Sequence, residues 1–287
     1  MLNTINSKNI DQRLCNTIIN QNMQQSSVGI YKECPNANSL KFNFVEYEPE
    51  VGTHVCNVSI FNKHPIDIIF ELSDTGLNIP CQTILLNPMG LNFDGINIES
   101  SEGIYDPNIF LRTNYGHLIK KNSNIFLSKN DTDVIYTKNV TIIRDGNYKF
   151  MGLHNVVLMG VVMLFPPNDI QFIKNKENKH VLNSTTFLKL QMIIESAFQL
   201  CICDTYSVVV VSIYPIENIP IDDQLLIYNY CILKYGHKFK NIIFGIQTND
   251  IQMFNYIDSN MMKPQDITKD IDSKYETEIM KNKFKLK

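Results

Sequence analysis

The C-terminal half of the chain alternates between two kinds of segment, and that alternation constrains the fold more than any other feature of the sequence. Asn155 to Phe165 is a nearly unbroken run of Val, Leu and Met, and Ser207 to Ile213 (SVVVVSI) and Asn241 to Ile246 (NIIFGI) are shorter runs of the same kind. Runs of this length and β-branched content read as strands covered on both faces. Between them, Ser184 to Leu200 and Asp222 to Tyr235 read as helices. In the first, Ser184 is placed to cap, and Leu188, Met192 and Phe198 lie near one apolar stripe. In the second, Asp222 and Asp223 suit the positive N-terminal end, Lys234 suits the other end, and Gly236 suits a left-handed cap. Strand, helix, strand, helix, strand implies parallel strands with covering helices, a three-layer α/β architecture. Ligands of such sheets sit beyond the carboxyl ends of the strands.

The N-terminal half is less regular. Residues 8–25 have mixed helical character, and 54–60 (HVCNVSI) alternates as a half-buried strand does. A helix is expected over 65–72, and a buried strand over 82–87 (QTILLN), ended by Pro88. Residues 88–103, rich in Gly, Asn, Asp and Ser, read as a loop. Asn108 to Tyr115 reads as a short helix and Val134 to Ile143 as a strand. The expected division is an N-terminal helical extension over 1–45, one α/β domain over 46–262, and a charged flexible tail over 263–287.

Charge and cysteine content narrow the function classes. The net charge of −3 gives no strong attraction to nucleic acid or an anionic membrane. The longest apolar run, Val156 to Pro167, is short of the roughly 20 residues a spanning helix needs. The first residues show no apolar signal-peptide core, so an intracellular, cytoplasmic protein is expected. The seven cysteines are odd in number and irregular in spacing, and Cys201 and Cys203 form C-x-C inside a helical stretch. Reduced, mostly buried thiols fit this pattern better than a zinc or redox site. His237 has no evident Ser or Cys nucleophile beside it in the sequence, so no catalytic triad is indicated. Abundant Asn, Ile and Lys, with only Arg13, Arg112 and Arg144 as arginines, point to AT-rich coding sequence, such as a virus or protist (the host cytoplasm, if viral).

Four segments resemble the microbial poly(ADP-ribose) glycohydrolase family: FLRTNY (110–115), IYTKNVTIIRDGNY (135–148), the strand from Asn155 to Pro167 ending Pro-Pro-Asn, and YGHKFKNIIFGI (235–246). Their order and spacing agree with the family over most of residues 50–250, and two of the three arginines fall inside them. The resemblance implies a macrodomain-like three-layer α/β/α fold with a mixed, largely parallel central sheet. It also implies an ADP-ribose cleft at the strand carboxyl ends, and hydrolysis of a ribose–ribose bond with neither metal nor redox cofactor. The family motif is three glycines, seven residues, then Gln-Glu-Glu, with a glutamate as general acid.

Counting back from Arg112 places that motif. The glycines fall on Gly95, Ile96 and Asn97, the glutamine on Tyr105, and the two glutamates on Asp106 and Pro107. Asp106 keeps a carboxylate one methylene shorter, and Pro107 can exchange no proton. The glycine-rich diphosphate loop of the family is matched by SIYPIENIP (212–220), where Asn218 and Pro220 echo the motif without its glycines. On this resemblance the ligand-binding candidates are Asn87, Asp94, Gly95, Asn97, Tyr105 and Asn218. Arg112, Thr113 and Asn114 support the motif, and Asp106 is the catalytic candidate. The leading expectation is a degenerate member that binds ADP-ribose or an ADP-ribosylated protein with little or no hydrolysis. One alternative is an active enzyme using Asp106, or Glu99 or Glu102 in a shifted alignment. Another is a partner-binding scaffold whose cleft is filled by Ile96, Tyr214 or Ile216. No cofactor is called for, and the sequence leaves the oligomeric state open.

Overall fold

A computed structural model of the 287-residue chain describes residues 12–27, 39–46, 49, 55–74, 82–90, 93, 104–126, 130–152 and 155–263. Its centre is a seven-stranded sheet. In chain order the strands are β1 (Ser39–Phe42), β2 (Asn57–Phe61), β3 (Thr83–Pro88), β4 (Val134–Ile142), β5 (Val157–Leu164), β8 (Val208–Val211) and β9 (Asn241–Gly245). Across the sheet they run β1-β4-β5-β3-β8-β9-β2. From β5 to β2 every neighbouring pair is parallel, and β4 and β1 continue the sheet antiparallel. The mixed, largely parallel sheet is therefore as expected. A separate hairpin joins β6 (Phe172–Lys174) to β7 (His180–Leu182).

Helices cover both faces. One face carries α1 (Gln12–Ser27), α2 (Pro65–Asp74), α3 (Asn108–Arg112) and α4 (Tyr115–Lys121), packed on Leu85, Ile135, Val161, Met163, Val208 and Val210. The other carries α5 (Ser184–Cys203), α6 (Ile221–Tyr235) and α7 (Ile251–Asn260), packed on Ile84, Leu86, Val162, Leu164, Val209 and Val211. Alternate residues of β3, β5 and β8 thus feed opposite cores, which is why those strands are apolar throughout. By length and composition α5 would cross a membrane, but 72% of its most apolar stretch is buried inside this molecule.

Two backbone details shape the sheet. A Cβ built on Gly160 would collide with the Tyr206 ring and hydroxyl, so β5 passes that ring only because it has no side chain there. In β4 the ladder skips between Thr137 and Val140, and Asn139 at the skip takes a positive φ of 58°. That is a β-bulge at a residue type that tolerates the left-handed region.

Several sequence expectations need correction. The α5 cap is Asn183, whose side chain accepts from the Thr186 amide, rather than Ser184. Gly236 is right-handed (φ −54°), because the chain continues from α6 into a short 3-10 turn over Gly236–Lys238. The helix expected over 108–115 breaks at Thr113, which bridges to Ile142, and resumes as α4. Within the stretch set apart as an extension, β1 belongs to the main sheet. Just beyond it, the Gln199 side chain donates to Val45 O (2.7 Å) and accepts from Val45 N (3.2 Å). Of the described cysteines, Cys56, Cys201 and Cys231 are buried free thiols and Cys203 is an exposed one. Residues 264–287 lie outside the described residues.

The hairpin is tied to α6 by Asp223, which accepts from the Leu182 amide at 2.8 Å. Burial, opposed by that hydrogen bond, pushes Asp223 up to about 6. Its unfolded value is about 3.9. The native state therefore holds the extra proton between those values, and stability falls as pH rises from about 4 to about 6. Asp223→Asn keeps an acceptor for Leu182 without the charge. Urea melts should show it more stable than wild type by about 2 kcal/mol at pH 7.5, with the gain fading by pH 4.

Candidate functional site

The site begins where β2 ends. Three residues past Phe61, the His64 carbonyl accepts the Asp67 and Ile68 amides and so starts α2, with Pro65 at its first position. The fit is close, since a Cβ on Gly245 would meet Pro65 Cγ at 2.9 Å, so α2 rests on the carboxyl end of β9.

His64 is buried, and both its ring nitrogens are engaged. Nδ1 accepts from the Ile66 amide at 3.1 Å, and Nε2 meets Asp106 Oδ2 at 2.5 Å. With Nδ1 committed as acceptor, the ring proton sits on Nε2 and points at the carboxylate. The other oxygen, Asp106 Oδ1, accepts from the Asn108 amide (2.9 Å) and from Asn108 Nδ2 (3.0 Å). Asn108 Oδ1 in turn accepts from the Tyr148 hydroxyl at 2.7 Å. Burial opposes the charge on Asp106. Electrostatic attraction to His64 and the hydrogen bonds from His64 and Asn108 outweigh it, and the carboxyl lies below its ordinary range.

Beneath this group the chain is bolted in place. Arg112 is buried and donates through Nη1 to Asp67 Oδ1 at 2.6 Å, joining α3 to α2. The Thr113 hydroxyl donates to Ile109 O and accepts from Tyr115 N. Asn114 Oδ1 accepts from the Thr141 amide at 2.9 Å, fixing α4 to β4. Asn22 of α1 donates to the carbonyls of Phe110 (3.0 Å) and Leu111 (2.9 Å) and accepts from Arg144 Nε at 2.6 Å. Asp145 closes the turn that carries Tyr148 by accepting from the Asn147 and Lys149 amides. Arg112, Thr113 and Asn114 of the FLRTNY segment are thus each bonded through their side chains to a neighbouring element or to their own helix.

Beyond the carboxyl end of β8 the expected diphosphate loop is closed on itself. Tyr214 N donates to Gln224 Oε1 at 2.9 Å, and Gln224 Nε2 donates to the carbonyls of Tyr214 (3.0 Å) and Ile219 (2.9 Å). The Asn218 and Ile219 amides both donate to Pro215 O, and the Ser212 amide donates to Leu86 O. These donors face protein, whereas an anion site needs amides aimed outward together. The Tyr214 ring is fully buried. Burial first, then its neighbours Tyr228 and Tyr105, hold its phenol well above the ordinary value.

The sequence-derived candidates thus fall into separate places. Asp106 stands at the centre of the bonded group, and Tyr105, half-buried, lies beside Tyr214. Asn87 lies next to the carboxyl end of β3 but is buried, its amide turned to Met89 Sδ at 3.3 Å. Asn218 sits half-buried in the turn before α6. Asp94, Gly95, Ile96, Asn97, Glu99 and Glu102 lie outside the described residues. Among the described residues no group of three or more His, Cys, Asp or Glu is arranged to hold a metal ion. Sequence reasoning missed His64. Its signal was a histidine at the junction of a strand and a proline-initiated helix, where side chains at a strand carboxyl end become available to a site. A groove of about 700 Å³ opens elsewhere, between the β6–β7 hairpin, α6 and α7.

No protein-family model and no curated protein matches the sequence. Solved structures do match the fold. Poly(ADP-ribose) glycohydrolase from Thermomonospora curvata aligns with a TM-score of 0.63 at 8% identity, covering 86% of this chain and 98% of that one. The same protein bound to the inhibitor ADP-HPD aligns with a TM-score of 0.61 at 10% identity, over the same shares. The Deinococcus radiodurans poly(ADP-ribose) glycohydrolase in complex with ADP-ribose aligns with a TM-score of 0.56 at 8% identity, covering 87% and 90%. The fold is that of the microbial poly(ADP-ribose) glycohydrolases, a macrodomain-like α/β/α sandwich, as the motif resemblance implied.

Proposed function

We propose that this protein recognises ADP-ribose, or a protein carrying it, through a macrodomain-like cleft, with little or no glycosidic hydrolysis. The ligand class is supported by the fold, shared with a glycohydrolase that holds ADP-ribose. The observation that carries the lack of hydrolysis is the state of Asp106. A general acid must hold a proton near the working pH and release it to the leaving oxygen. Asp106 is held below the ordinary carboxylate range, and both its oxygens already accept hydrogen bonds. Its neighbour Pro107, at the second glutamate position, carries no ionisable group. An ionised Asp106 suits the acceptor of a ligand hydroxyl better than the donor of a proton.

The test is calorimetric titration with ADP-ribose, followed by incubation with poly(ADP-ribose). Micromolar binding, about −8 kcal/mol, with no release of ADP-ribose is the expected result. Release that Asp106→Asn abolishes would overturn the reading in favour of an active enzyme. Release that survives Asp106→Asn but is lost in Glu99→Gln or Glu102→Gln would assign the acid to a displaced carboxylate. A second reading rests on Tyr214: its buried ring and the Gln224-bonded loop favour a partner-binding scaffold with a filled cleft. No heat at millimolar ADP-ribose would select that reading.

A further inference from the structure

We propose that His64 is a positioning residue for Asp106, fixing the carboxylate so that one acceptor direction on Oδ2 is left for a hydroxyl of the ligand. The proposal rests on the ADP-ribose reading above and adds to it a residue outside every segment that carries the family resemblance.

The argument is one of counting. An ionised carboxylate offers about four acceptor directions. The Asn108 amide and side chain take two on Oδ1, and His64 Nε2 takes one on Oδ2. The Asp106 side chain is 26% exposed while that of His64 is 7% exposed, so the remaining direction faces outward and the imidazole stands behind it. His64 does not meet the ligand, since both ring nitrogens are in use. Its own orientation is set by the Ile66 amide in the first turn of α2, and Asn108 is oriented by Tyr148. The chain Ile66–His64–Asp106–Asn108–Tyr148 therefore joins α2, α3 and the turn after β4, and every donor in it points toward the carboxylate. This arrangement keeps a charge and a lone pair in a fixed place, as recognition of one hydroxyl needs.

The ionisable groups on the elements packed around Asp106 are His64 before α2, Asp67 and Arg112 paired between α2 and α3, and Tyr148 after β4. Binding is therefore compared at one fixed pH for all three proteins, so that a difference between them reports on the Asp106 contact. The experiment compares wild type, His64→Leu and His64→Gln. Gln offers an amide N–H near the place of Nε2, whereas Leu offers none. The readouts are ADP-ribose titration, the carboxyl titration midpoint of Asp106 by carbon NMR, and the imidazole nitrogen spectrum of wild type.

The expected result is an Nε2–H tautomer in wild type, and in His64→Leu a raised Asp106 midpoint with ADP-ribose binding weakened tenfold or more. His64→Gln should recover most of the binding. An Nδ1–H tautomer, or an unmoved midpoint in a folded His64→Leu, overturns the pairing. A moved midpoint with unchanged ADP-ribose affinity overturns the positioning role alone. Absence of ADP-ribose binding by wild type instead overturns the functional reading and the ligand named here, while tautomer and midpoint still decide whether His64 holds the carboxylate.

Discussion

Lys234→Met is expected to destabilise the protein by about 3 kcal/mol, lowering the melting temperature by on the order of 10 °C. Glu195 of α5 is buried under α6, where Oε2 accepts from Lys234 Nζ at 3.0 Å and from the Tyr235 hydroxyl at 2.8 Å. Its other oxygen accepts from Gln191 Nε2 at 2.7 Å. Burial alone would push the Lys234 ammonium down, but the Glu195 charge and the Tyr230 and Glu195 hydrogen bonds reverse it, and Lys234 is held above its ordinary value. Removing the cation leaves a carboxylate in a low-dielectric layer with neutral donors only. The double replacement Lys234→Met with Glu195→Leu should recover most of the loss, because it removes both desolvated charges. Thermal melts of the three proteins check this, and a double variant no more stable than the single one would contradict it.

The second large effect is at Tyr214. Tyr214→Ala removes a fully buried ring beyond the end of β8 and should cost about 3–4 kcal/mol through the cavity it leaves. Tyr214→Phe should be neutral or stabilising by about 1 kcal/mol. The Tyr214 hydroxyl is buried with no hydrogen-bond partner among the described residues, so its loss removes a desolvation cost and little else. The pair also separates the two functional readings. If the cleft is open in wild type, ADP-ribose titration of Tyr214→Ala resembles wild type. If the Tyr214 ring fills the cleft, Tyr214→Ala gains binding that neither wild type nor Tyr214→Phe shows.

The legible parts of this fold were those where one physical signal dominates. The Val208–Val211 strand is apolar on both faces because, like β3 and β5, it feeds two cores. The α5 boundary shifted by one residue because Asn183 and Ser184 are both good caps, and only the geometry of the Thr186 amide chooses between them. At β1 and the β6–β7 hairpin the elements are three or four residues long, below the length at which periodicity can be counted. At the site, counting back from Arg112 located Asp106, but its partner came from 42 residues earlier, across a fold contact that no local pattern encodes. Gln224 closed the loop after β8 in the same way, from inside a helix where a polar residue reads as ordinary surface.

The sheet order also bears on how the chain is made. Among the described strands β2 sits at one edge and pairs only with β9, Asn57 standing beside Asn241, a separation of 184 residues. During synthesis the earlier strand leaves the ribosome long before its partner exists, so Val58 and Ile60 wait without a neighbour while β3, β5 and β8 are added. Contacts of such long range slow folding and lengthen the time during which an apolar edge is open to other chains. The last of the described strands to be made therefore completes an edge begun near the start of the chain, and through β2 it also sets His64 in place. A nascent chain stalled before residue 241 would have its sheet centre and no seat for the histidine beside Asp106.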